Sequence, residues 1–459
     1  MTGKPYLVPY HAAMISRVFK SMPLLRHLAW LAPLLVSTAA LAQDDRYPQS
    51  LPAITGSVAP QSDKWSGEPG ASGHPLMMPD AILAAVADFK NCLERLWPEA
   101  ARRGISRANY DKFTGDLEPD VKIMDYVDAQ PEFTKAFWDY LDLLVTDERI
   151  TKGRELLAAN AVTFDAVEKA YGVDRTIIAA IWGVETKYGA VAGERPVIRS
   201  TATLACVGRR QAYFKDEFLA TLDILQRGDI KPEQLKGSWA GAFGATQFMP
   251  TAFKRYAVDF DHDGRRDIVG SVADIAASTA NHLKVAGWVA GQAWGYEVTL
   301  PQNFNYLLAD PAKRLTLAEW ARQGVMRAGG APFPRGGDRA TLFIPAGARG
   351  PSFLLLDNFR ALMKYNPAEA YALAAGHLAD RLRGGGPLVG TWPREERVLT
   401  RAERLELQQH LARQGFDVGE PSGRLGLKTR TAVRDFQARS GLVPDGFATV
   451  AILERLRAR

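Results

Sequence analysis

The residues Ile181-Trp182-Gly183-Val184-Glu185-Thr186-Lys187-Tyr188-Gly189 set an acid where acids are uncommon. Asp174 reads as a helix N-cap, Ile177, Ile178, Ile181 and Val184 as an apolar face, and Gly189 as a left-handed stop. Glu185 then lies three or four residues from Ile181, Trp182 and Tyr188, so its carboxyl stands beside the packed face of the helix. Desolvation and the negative end of the helix dipole would both disfavour its charged form and raise its pKa toward the range of a general acid. An exposed glutamate flanking Lys187 has the same spacing, and only the surroundings separate the two readings.

A second stretch, Gly237-Ser238-Trp239-Ala240-Gly241-Ala242-Phe243-Gly244-Ala245-Thr246-Gln247-Phe248-Met249-Pro250, joins glycines that permit close backbone approach to neutral donors and acceptors at Ser238, Thr246 and Gln247. That mixture suits an uncharged ligand rich in hydroxyls and amides, such as a sugar. It does not suit a phosphate, because no Lys follows the glycines. Close helix packing would use the same residues.

The third stretch, Asp259 to Asp267, has the opening of a calcium-binding loop: Asp259, Asp261, Asp263 and Asp267 at its first, third, fifth and ninth positions, Gly264 at the sixth and Arg265 at the seventh. Its twelfth position is Gly270 where a bidentate glutamate belongs, and Asp274 is the residue expected to reach in instead. Such a loop predicts weak or structural Ca2+ binding; an Asp-rich turn without metal is the alternative. No second His or Cys stands near His262 at zinc-ligand spacing. Asn358-Phe359-Arg360 and Tyr365-Asn366 offer polar groups to a cleft or, equally, local caps. No serine elbow, Cys–His pair or dinucleotide fingerprint stands out in a fitting context.

The elements that must position these residues are mostly helical. Apolar periodicity predicts helices over Ala81 to Trp97, Pro131 to Val145, Ile150 to Ala159, Phe164 to Tyr171, Asp174 to Tyr188, Gln211 to Gln226, Ile275 to Val285 and Phe359 to Leu382. Short apolar runs at Tyr296 to Leu300 and Leu342 to Ile344 predict a small β element. Gly384-Gly385-Gly386-Pro387 reads as a linker, and Leu399 to Arg459 as a unit of three helices with a weak internal repeat, Glu406-Leu407-Gln408 to Gly415 and Asp435-Phe436-Gln437 to Gly441.

At 459 residues, with 47% hydrophobic and 24% charged, the chain is globular and long enough for about three domains. The segment Met1 to Ala42 has a basic start, an apolar run from Leu28 to Val36, and small residues ending Ala40-Leu41-Ala42: a secretory signal cleaved near Ala42. Its run is short for a membrane span. Removing its four basic residues would lower the formal charge of +6 to +2, which is no argument for nucleic acid. Gln43 to Pro79, rich in Pro, Gly and Ser, reads as a tether. In an oxidising compartment Cys92 and Cys206 would pair if they lie on neighbouring helices; two free core thiols are the alternative.

Taken together, Gly183 to Gly189, Arg209-Arg210, the stretch ending Gln247-Phe248-Met249-Pro250, the Asp259 loop, Asn358-Phe359 and Tyr365-Asn366 resemble the B-type family of lytic murein transglycosylases, exported bacterial enzymes that cut peptidoglycan. The likeness runs from about Pro79 to Leu382. The tail is similar to the three-helix peptidoglycan-binding domain at Leu407-Gln408, Gly415-Phe416, Gly423, Gly426, Thr429, Ala432-Val433, Phe436-Gln437 and Asp445-Gly446. The resemblance implies a mainly α chain, with a lysozyme-like α+β catalytic core at residues 79–383 and a three-helix wall-binding domain at 399–459. A signal at 1–42, a tether at 43–78 and a linker at 384–398 complete the expected organisation.

It further implies that Glu185 is the sole catalytic acid and base, a lyase acting on the bond between N-acetylmuramic acid and N-acetylglucosamine and leaving anhydro-muramic ends. Sugar-binding roles are implied for Ser238, Gln247, Tyr188, Tyr365, Asn366, Arg209 and Arg210, and Ca2+ binding for the Asp259 loop. No cofactor is expected for the chemistry. The expected state is a periplasmic monomer that acts on glycan strands, with the wall-synthesis machinery as a further partner. No cysteine follows the signal's apolar run, so no lipid anchor is expected. A water-using muramidase and a non-catalytic wall binder are the competing readings.

Overall fold

The computed structural model describes residues 64–70, 72–127 and 135–458, and it is mainly helical beside one five-stranded sheet, as expected. The expected signal, the first part of the tether and the start of the helix predicted from Pro131 lie outside the described residues.

The helix Arg175–Thr186 is the axis of the larger core, every residue from Thr176 to Thr186 being buried. A helix apolar on all sides must be covered on all sides, and Asp147–Ala159, Ala161–Tyr171, Val272–Val285 and Glu369–Leu382 enclose it. Asp174 caps it as predicted, accepting from Thr176 N at 2.8 Å. It ends two residues earlier than predicted, because Lys187 and Tyr188 are already left-handed, at φ 50° and 61°.

Two predicted helices are each broken in two. Ala81 to Trp97 becomes Pro79–Ala87 and Phe89–Arg102, hinged at Asp88, whose carboxylate turns to Asn91 and Arg95 at 2.9 and 2.6 Å. Phe359 to Leu382 becomes Asp357–Tyr365 and Glu369–Leu382, because Asn366 precedes Pro367 and is driven extended, at φ −141° and ψ 116°. That break turns Tyr365 and Asn366 off the helical path.

A smaller core joins Phe89–Arg102 to the helix pair Val197–Cys206 and Gln211–Arg227. Here Cys92 and Cys206 form a disulfide with their Cα atoms 6.0 Å apart. The last part of the expected tether is no tether: Ser66 N and Oγ donate to Asp125 at 3.1 and 2.6 Å, and Met77 is fully buried on this core. A methionine beside exposed apolar faces gains more from burial than a polar tether would. The predicted β runs fall on Gly295–Thr299 and Arg339–Phe343, in an all-antiparallel sheet ordered Leu315–Thr316, Arg339–Phe343, Ser352–Leu355, Gly295–Thr299, Met326–Arg327.

The tail folds as three helices, Arg401–Arg413, Leu427–Arg439 and Val450–Arg457, around Leu407, Val433, Phe436 and Leu453. Its weak repeat has a physical basis: Gln408 Oε1 accepts from Gly423 N at 2.8 Å and Gln437 Oε1 from Gly446 N at 2.7 Å, each glutamine fastening a glycine turn. The tail also docks on the rest of the chain. Arg430 pairs with Glu369 at 2.8 Å, Arg434 donates to the Ala309 carbonyl at 2.6 Å, and Asp445 accepts from Ala348 N at 2.9 Å. The expected linker is pinned as well, Gly390 N donating to Glu297 at 2.7 Å.

Candidate active site

Glu185 is buried, at 6% exposure, in the last turn of Arg175–Thr186. Its Oε1 accepts from the Tyr371 hydroxyl at 2.6 Å. Tyr371 lies in the first turn of Glu369–Leu382, and its ring stacks on Tyr365 at 6.5 Å and 9°. Tyr365 in turn donates to the Thr246 carbonyl at 2.6 Å. Burial first, and then the neighbouring Glu185 carboxylate, hold both phenols well above the ordinary tyrosine range, so both remain donors.

The glycine-rich stretch closes against the acid helix: Thr186 Oγ1 donates to the Ala245 carbonyl at 2.6 Å. Gln247, at φ 53°, donates its amide nitrogen to Ala192 O and Gly244 O at 3.0 and 3.1 Å. Its amide oxygen has no partner among the described residues. Ser238 Oγ accepts from Ala242 N at 3.1 Å, which closes its own turn. Asn366 Oδ1 accepts from Ala368 N at 3.1 Å. Gln247 follows Thr246, whose carbonyl takes the Tyr365 hydroxyl, and Asn366 follows Tyr365 itself, so two amide side chains are chain neighbours of the residues in that set.

Three more of the expected sugar-binding residues make contacts within the protein. Tyr188 is a structural wedge, its hydroxyl donating to the Arg149 carbonyl at 2.9 Å. Its ring fills a slot between Gly153 and Gly183, where a Cβ on Gly183 would meet the Tyr188 ring at 2.6 Å. Arg209 donates to the Val127 carbonyl at 3.4 Å, and Arg210 stacks over the Tyr213 ring at 4.8 Å, both on the smaller core.

Sequence reasoning missed Tyr371 and His282. His282 lies 4.0 Å from Tyr256 in a parallel stack and 4.6 Å from Tyr365, and burial lowers its pKa to about 4, so it is neutral near pH 7. For Tyr371 a signal existed: with Ala374, Ala375 and Leu378 it marks the buried stripe of its helix, and a buried tyrosine needs a partner for its hydroxyl. Nothing local names that partner.

The Asp loop fits a hard cation only in part. Oxygens of Asp259, Asp261 and Asp263 lie within 4.8 Å of one another, and Gly264 makes the turn at φ 90°. The other two expected carboxylates, Asp267 and Asp274, do not join them. Asp274 is fully buried behind the loop, its two oxygens accepting from Phe260 N at 2.6 Å and Asp267 N at 2.7 Å. Asp267 accepts from Val269 N and Gly270 N at 2.9 and 2.8 Å, and the Arg265 guanidinium pairs with Asp263 at 3.0 Å. A three-carboxylate set without the bidentate group predicts weak binding. Calcium at about ten times its Kd should stabilise the chain by about 1.4 kcal/mol and raise Tm by about 2 °C over chelated protein. Calorimetry with and without calcium checks this, and an unchanged Tm removes the loop as a calcium site.

Residues 88–380 match the family described as transglycosylase SLT domain, and residues 400–456 match a peptidoglycan binding domain family. The chain is 34% identical over 225 residues to membrane-bound lytic murein transglycosylase B of Escherichia coli, over 47% of this chain and 60% of that relative's length. It is similar to SltB3 from Pseudomonas aeruginosa, solved with NAG-anhNAM-pentapeptide, at 46% identity and a TM-score of 0.78, covering 80% of this chain and 99% of that one. The Escherichia coli lytic transglycosylase Slt35, solved with calcium, is 25% identical with a TM-score of 0.53, covering 64% and 92%. Among the described residues no helix is long and apolar enough to cross a membrane.

Proposed function

The chain belongs to the transglycosylase SLT domain family, and from that premise we propose that it cuts peptidoglycan glycan strands without consuming water. The observation that carries this reading is the Glu185–Tyr371 pair: the group meeting the buried acid at 2.6 Å is a phenol. A phenol kept protonated cannot serve as the second carboxylate of a hydrolase. Tyr371 holds the carboxyl through Oε1 and fixes its orientation.

The proposed reaction uses one carboxyl twice. Glu185 gives its proton to the oxygen joining N-acetylmuramic acid to N-acetylglucosamine as the bond from the anomeric carbon to that oxygen breaks. The resulting carboxylate accepts the proton of the muramic acid's own primary hydroxyl while that oxygen attacks the anomeric carbon. The acid is regenerated, one ring closes, and an anhydro-muramic end remains. The Gln247 amide oxygen and the Asn366 amide, each next in the chain to a residue of the Tyr365–Thr246 hydrogen bond, would hold sugar hydroxyls or acetamido groups. Export to the periplasm, with the tail holding the wall, completes the reading.

Digestion of purified sacculi in 18O-labelled water tests it. Products one water lighter than reducing-end fragments, and free of label, are expected; labelled reducing ends would identify a water-using muramidase instead. Tyr371→Phe keeps the stacked ring and removes the donor. It should lower kcat for anhydro-product release by about tenfold to a hundredfold, the usual range for a hydrogen bond to a charged group, with Tm unchanged. A kcat equal to the parent's would show that the phenol does not serve the acid.

A further inference from the structure

The middle helix of the tail, Leu427–Arg439, presents two different faces. Arg430, Arg434 and Gln437, at helical spacing on one side, are engaged with Glu369, the Ala309 carbonyl and Asp445. That side is closed by the rest of the chain. The opposite side carries Lys428, Thr431, Asp435 and Arg439, all exposed, which with Phe416 and Asp417 line a cleft of about 330 Å³.

The chemistry of this cleft is unlike that of a sugar site. Its ring offers no free face, because Phe416 is 8% exposed and the Arg439 guanidinium lies 4.5 Å from the ring centroid. The cleft holds two cations and two carboxylates. Lys428 and Asp417 pair at 3.0 Å, both well exposed, and such a pair opens at small cost. Asp435 makes no hydrogen bond or ion pair among the described residues. A polyanion would meet Asp417 and Asp435, and a polycation would meet Lys428 and Arg439. A short peptide bearing both free carboxylates and a free amine meets charges of both signs.

Resting on the wall-binding reading above, we propose that this cleft holds the stem peptide of peptidoglycan, its carboxylates on Arg439 and Lys428 and its amine on Asp435. The tail then grips the wall by peptide while the cleft at Glu185 takes the glycan.

Sedimentation with sacculi tests this in the full chain carrying Glu185→Gln, which spares the wall during the assay. Asp435→Lys and Arg439→Glu should each weaken binding to intact sacculi by about tenfold or more, as loss of a charge-assisted bond does. Arg455→Glu, a charge reversal on another face of the tail, should bind as the parent does, and all three should keep the parent's Tm. On glycan strands stripped of peptide by an amidase, variants and parent should bind alike. Equal losses on stripped glycan would make the cleft a sugar site, and no loss on intact sacculi would make it idle; either result overturns the proposal and leaves the wall-binding reading standing. If the parent itself fails to sediment with intact sacculi, the wall-binding reading falls with it.

Discussion

Glu185→Gln should abolish anhydro-muropeptide release from sacculi, a loss of at least about a thousandfold in kcat, toward the upper range for a general acid–base group. The substitution is nearly isosteric. Tyr371 can still donate to the amide oxygen at the Oε1 position, and the helix Arg175–Thr186 keeps its buried faces. Loss of rate without loss of Tm is therefore the expected signature, since the glutamine neither gives nor takes the proton. Mass spectrometry of the digests and calorimetry of the same preparation read the two together. Anhydro ends produced at the parent rate would show that another group carries the proton, and the single-acid mechanism would fail.

The second large effect concerns stability. Cys92 and Cys206 are 114 residues apart, and their disulfide ties the helix Phe89–Arg102 to Val197–Cys206. Closing a loop of that length restricts the unfolded chain by about 4–5 kcal/mol in the chain-entropy account. The double variant Cys92→Ser, Cys206→Ser should melt about 5–6 °C lower than the oxidised parent, and reduced parent should follow it. The disulfide sits in the smaller core, away from the larger core that surrounds the acid helix. Initial rates well below the new Tm should therefore stay near the parent's. Equal melting of oxidised and reduced protein would mean that the pair contributes nothing.

The limits of the sequence are clearest at single residues. The periodicity around Ile177, Ile181 and Val184 determined that the acid helix is buried, because apolar residues on several faces have no other stable place. The glycine-rich stretch, the Asp triplet with Gly264 and the three-helix tail were legible in the same way, since turn chemistry and apolar spacing are local properties. The helix breaks at Asp88 and Asn366 were less so: Pro367 signalled the second, while nothing but the capping habit of aspartate signalled the first.

What the fold alone decided is which distant group satisfies each buried polar atom. Tyr371 meets Glu185 across 186 residues, Asp274 turns both oxygens inward to brace the loop it was expected to serve as ligand, and Tyr188 wedges between two glycines. The docked side of the tail's middle helix is of the same kind: the fold brings Glu369 against Arg430 and the Ala309 carbonyl against Arg434, partners 61 and 125 residues away. A sequence shows that a buried donor or acceptor must be paired, because leaving it unpaired costs about 1–3 kcal/mol. Only the packed chain decides with what, because partners are chosen by proximity in space among residues that spacing along the chain does not relate.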